Sequence, residues 1–211
     1  MPMKMIFVFI LSVLFSSIQI SAEENRWTYD LYEAYNHRDF RSLELFHQEF
    51  DSENPDIPLL NAALFFLTNE YRVKNRRDPL KHHIALETAS YFHSREMAER
   101  DFFSHINNIN RDRGTTLLRA GLAGISNPFI AENILYEYYR STDTYLDLAE
   151  RMIKLWINSR THRENMLSRD GLQMGCGVFI KGERVYATQK FQWFHEVIEK
   201  EAVDKMPDFT N

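Results

Sequence analysis

The sequence predicts an α+β domain, helices first and a two-stranded hairpin last. Three observations carry this. Apolar residues recur at helical spacing in three stretches: Leu60, Ala63, Leu64, Leu67 and Tyr71; Ala85, Ala89, Phe92, His93 and Met97; and Leu146, Ala149, Ile153 and Trp156. Two strand-like runs, 174–180 and 185–191, flank a short turn at Lys181-Gly182-Glu183 and read as an antiparallel hairpin. The 211 residues are 44% hydrophobic and 14% aromatic, enough apolar material for one substantial core.

The first residues place Lys4 before an apolar run from Met5 to Phe15, followed by Ser16, Ser17, Ser21 and Ala22 and then Glu23-Glu24. This order reads as a signal peptide over 1–22, cut after Ala22. The run is short for a membrane span. An uncleaved anchor is the alternative, because Ile20 is an imperfect residue three places before the cut. No Cys follows the run, so a lipid anchor on an N-terminal Cys is not expected. The expected location is secreted or periplasmic, with no transmembrane segment after cleavage. The sole Cys, Cys176, forbids an internal disulfide and, between two glycines in a strand, reads as a buried inert thiol. Formal net charge is −5, and the basic run 72–77 reads as covering a helix C-terminus, so nucleic acid is not an expected partner.

Taken in order, residues 23–55 read as a helical extension. Leu31, Ala34 and Tyr35 fit one helical face, and Leu43, Phe46 and Phe50 fit a second. Asn54-Pro55-Asp56-Ile57-Pro58 breaks the pattern and opens the main domain, 56–194. Its first helix ends in the basic run. Its second runs from about Ile84 to Asp101 and leads to Phe103-Ser104-His105. His82 and His83 diverge as neighbours and read as surface histidines. Residues 107–127 read as a loop interrupted by a short helix near Thr116–Ala120, and Ser141-Thr142-Asp143 as a cap for the Trp156 helix. After Trp156, Ser159 or Thr161 can cap a further short helix with His162 in its first turn, where unpaired N–H groups favour a neutral imidazole or an anion. The charged tail, 195–211, shows no obvious partner.

Phe103-Ser104-His105, Ala131-Glu132-Asn133-Ile134, Trp156 through Leu167, Met174-Gly175-Cys176-Gly177-Val178 and Ala187-Thr188-Gln189-Lys190-Phe191 resemble, in order, the motifs of the CAP superfamily. That superfamily holds cysteine-rich secretory, antigen 5 and pathogenesis-related proteins, with bacterial SCP-like extracellular members. The resemblance spans roughly 57–193. It implies an α-β-α sandwich with a small central antiparallel sheet and a cleft bearing two histidines and two acids. His105 and His162 match the histidines. Glu132 matches one acid, with Ala131 where the family has Gly, and Ser159 stands where the second acid falls. The implied ligand-binding set is therefore His105, Glu132, His162 and Ser159.

Two imidazoles and a carboxylate can hold a divalent ion such as zinc, with His105 and His162 as its ligands. The spacing among them is long, no Gly-x-Ser-x-Gly elbow occurs, and no catalytic residue is assigned. Three readings follow. The preferred one is a non-enzymatic binding module for a small apolar, lipid-like ligand or for an envelope or host protein. The second is a metal-assisted hydrolase, and the third a structural protein of the cell envelope.

Overall fold

A computed structural model describes residues 26–209; the signal segment and its cut after Ala22 lie outside the described residues. Helix α1 spans Leu31–Ala34, α2 Ile57–Lys74, α3 Ile84–Glu99, α4 Thr116–Leu122, α5 Tyr145–Asn158 and α6 Arg160–Met166. Strand β1 spans Lys81–His82, β2 Ile130–Tyr138, β3 Gly171–Lys181 and β4 Arg184–Trp193, in sheet order β1-β3-β4-β2.

Helix α2 starts where Asp56 accepts a hydrogen bond from Leu59 N and Pro58 occupies the first turn. Helix α5 starts in a reciprocal capping box between Thr144 and Asp147. The two pack together on one face of the sheet, where Met152, Trp156, Met174, Cys176 and Val178 share a core. Burial pushes the Cys176 thiol well above its ordinary pKa, as suits an inert side chain.

Helix α3 covers the opposite face. A Cβ built on Gly175 or Gly177 would collide with the backbone of Glu87 or Tyr91, so the two glycines let α3 lie directly on β3. Ser90 and Ser94 donate across that contact to the carbonyls of Gly175 and Gly177, at 3.0 and 2.7 Å. This is the α-β-α sandwich. Its sheet is mixed rather than wholly antiparallel, because β1 pairs parallel to β3. The chain crosses the sheet edge there, on its way from α2 on one face to α3 on the other.

The segment before α2 departs from two helices. It forms the short α1 and two 3₁₀ turns, Phe40–Ser42 and Glu44–His47. Asn36 and Asp39 bind nearby backbone N–H groups, a local alternative that competes with helix. Nor is it an appendage: Trp27, Phe40, Phe46 and Phe50 belong to the same core as α2 and α5. The tail is also held. Arg113 donates to Asp204 at 2.6 Å, and Val197 N donates to Gln173 at 2.6 Å.

Candidate functional site

The sheet register builds the floor of the cleft. Glu132 on β2 sits directly opposite Lys190 on β4, and Lys190 opposite Gly175 on β3. Side chains at cross-strand positions share a face, so Glu132 and Lys190 meet beneath α3. Lys190 Nζ donates to Glu132 Oε2 and, at 2.9 Å, to Thr116 Oγ1. Arg119, carried by α4, donates to both Glu132 oxygens at 3.0 and 2.9 Å and to the His105 carbonyl at 3.0 Å. His105, in the loop after α3, faces Glu132 Oε1 through Nδ1 at 2.9 Å.

The Glu132 side chain is only 4% exposed, whereas that of His105 is 50% exposed. Burial works against ionising Glu132, but Lys190, the His105 hydrogen bond and Arg119 together hold its carboxyl well below the usual range. Burial likewise pushes the Lys190 ammonium down to about 8 against the pull of Glu132. His93, from α3, lies under this pair with its Nε2 at 3.7 Å from Glu132 Oε1, beyond hydrogen-bond reach. Burial drives its pKa down to about 2, so the ring is neutral.

His162 arrives from the other side, as the third residue of α6. The basic run does not merely cover the end of α2; it grips the end of α6. Arg72, almost wholly buried, donates to the carbonyls of Met166 and Ser168 at 2.6 and 3.0 Å, and Arg77 to that of Leu167 at 2.8 Å. Asn133 ties α6 to the sheet, donating to the His162 carbonyl at 3.1 Å while accepting from Asn165 at 2.9 Å. The His162 ring is half-buried, and burial followed by the neighbouring His105 lowers its pKa. Ser159 holds the N-cap position of α6 without capping it, its Oγ lying 3.3 Å from Thr161 Oγ1.

Thus His105 and Glu132 touch, His162 senses His105, and Ser159 bonds to none of the three among the described residues. Arg119, Lys190 and His93 escaped the sequence reading.

Among the described residues no three His, Cys, Asp or Glu side chains are grouped to hold a metal ion. Glu132 commits both oxygens to Arg119, Lys190 and His105.

The family model described as "CAP: Cysteine-rich secretory protein family" matches residues 65–191. An uncharacterized membrane protein of Bacillus subtilis (strain 168), YlbC, is 29% identical over 125 residues, covering 59% of this chain and 32% of that protein. An extracellular SCP-domain protein from Bacillus anthracis str. Ames superposes with a TM-score of 0.52 at 25% identity, over 64% of this chain and 40% of the other. An outer surface protein from Borrelia burgdorferi shares the fold, with a TM-score of 0.51 at 16% identity over 63% of this chain and 90% of the other. The chain therefore spans well under half the length of the two Bacillus proteins. On the family match over most of its sheet and helices, the chain belongs to the CAP, or cysteine-rich secretory protein, family.

Proposed function

We propose that this CAP domain is a secreted or periplasmic binding module that works without a metal and without hydrolysis. The observation that carries this is the commitment of Glu132. A general base needs a lone pair facing its substrate, and a metal ligand needs one facing the ion. Glu132 instead serves as the buried counter-ion of Lys190 and Arg119. What the cleft offers a ligand is the pair His105 and His162. Phe103 and Ile106 lie next to His105 in sequence, and Leu117 and Leu118 precede Arg119 on α4; all four are about half exposed. Exposed apolar side chains on the segments that carry the site suit a ligand with an apolar body.

No helix of the described residues is long and apolar enough to cross a membrane. The signal-like segment 1–22 and the extracellular character stated for the Bacillus anthracis protein support export. The test is paired. Native mass spectrometry of the protein with envelope lipids should detect a retained apolar ligand, weakened in His105→Ala/His162→Ala. Peptide cleavage in the presence of added zinc should stay at the level of that double variant. Cleavage abolished by the double substitution, with folding intact, would reinstate the metal-assisted hydrolase.

A further inference from the structure

The turn after α6 joins two features that the His105 cleft does not use. On one side it meets the basic end of α2, where Arg77 donates to the Leu167 carbonyl at 2.8 Å and Arg72 to that of Ser168 at 3.0 Å. On the other it meets the end of β4, where Phe194 N donates to the Asp170 carbonyl at 2.9 Å. Phe194 in turn packs edge-on against Phe129, with ring centroids 4.6 Å apart. Residues 167–170 thereby bring a cluster of cations and a pair of aromatic rings to one corner of the molecule.

The charge of this corner is one-sided. Segments 72–78 and 167–172 hold Arg72, Lys74, Arg76, Arg77 and Arg169 against Asp78 and Asp170, in a chain whose formal net charge is −5. Arg72 is buried, but Lys74, Arg76 and Arg169 are exposed, and none of these three enters a salt bridge among the described residues. The apolar part is equally open: Phe129 is 54% exposed, Phe194 49% and Leu172 37%.

Backbone geometry sets the corner apart. Among the described residues three that are not glycine have positive φ, and two of them, Arg76 at 57° and Phe194 at 64°, are here. Arg76 follows α2 in a Schellman turn, with Arg77 N donating to the Arg72 carbonyl and Arg76 N to that of Val73, at the position where glycine is the usual occupant. Glycine would meet the same backbone without strain. A bulky residue in this conformation is an outlier, and such strain concentrates where side chains serve binding.

We propose that this corner docks the protein peripherally on a bilayer surface bearing anionic head groups. Lys74, Arg76 and Arg169 meet the head groups, while Phe129, Phe194 and Leu172 enter the boundary between head groups and acyl chains. The combination selects a bilayer over a soluble polyanion, which would use the cations and leave the phenylalanines in water. The proposal is independent of the reading of the His105 cleft.

The test is partition of the full chain onto vesicles of phosphatidylcholine alone and of phosphatidylcholine with phosphatidylglycerol. A basic residue near an anionic surface is worth about fivefold in partition. Binding to the anionic vesicles should therefore be about tenfold stronger or more, and should weaken as salt is raised. Arg76→Gln/Arg169→Gln, both exposed positions, should cost about tenfold or more there without lowering the melting temperature. Phe194→Asn, which tolerates the positive φ, should cost about tenfold as well. His105→Ala/His162→Ala should leave partition unchanged. Amide exchange at 168–170 and 194–196 should slow on anionic vesicles only, which separates docking by this corner from contact through residues 1–22. Exchange there unchanged by anionic vesicles, full binding by Arg76→Gln/Arg169→Gln, full binding by Phe194→Asn as at a soluble-polyanion site, or loss of binding in the cleft variant would each overturn the proposal.

Discussion

At the scale of single residues the cleft is governed by one buried carboxylate between two buried cations. Removing the carboxylate while keeping the cations leaves uncompensated charge in the core, so Glu132→Gln should destabilise the fold by about 3–5 kcal/mol. Lys190→Met should cost less, because Arg119 still pairs with Glu132. Combining the two should recover part of the loss, a coupling that a double-mutant cycle in denaturant reads directly. His93 adds a pH dependence. Its folded pKa near 2 lies below the unfolded value of 6.5, so only the unfolded chain takes up its proton between them. Stability should therefore fall as pH drops below about 6.5, by about 1.4 kcal/mol per pH unit from this group. His93→Phe should flatten the decline seen in thermal melts between about pH 6.5 and 5, whereas an unchanged slope would place the acid sensitivity elsewhere. The pairing of His105 with Glu132 could be anticipated from the motifs. The role of Lys190 could not, because register is set by how two distant strands align, and a slip of one residue would have turned it to the other face.

At the scale of elements, the site depends on how closely α3 approaches the sheet and how firmly α6 is held. Gly175→Ala would drive a methyl group into the backbone of α3 at Glu87, lifting the helix that carries His93. The expected cost is about 1–3 kcal/mol or more, visible as a lowered melting temperature and as shifted amide resonances along α3. Arg72→Met should loosen the C-terminal end of α6, since two of the arginine's hydrogen bonds go to the carbonyls of Met166 and Ser168. Faster amide exchange in 160–167 than in α5 is the expected sign. Helices α2, α3 and α5 and the hairpin were legible because apolar spacing and turn chemistry are local. The β1 edge strand was not: two residues carry no periodicity, and only the sheet edge they cross gives them a partner.

At the scale of the molecule, the segment before α2 shares the main core with α2 and α5, while smaller clusters pack α3 with α4, the sheet and Val197 of the tail. The aromatic residues of 27–50 suggested packing from sequence alone, yet their turns rather than helices reflect Asx contacts that only the folded chain selects. Because Trp27, Phe40 and Phe46 are core residues, a chain starting at Asp56 should unfold or melt far lower than the intact chain, as circular dichroism would show. The central claim is that Glu132 is a counter-ion and that the cleft binds without metal. Elemental analysis of protein purified without chelator and without a His-rich tag tests it most directly. Zinc and other divalent ions should be found far below one per chain, unchanged in His162→Ala. One zinc per chain, lost in His162→Ala with folding intact, would contradict it.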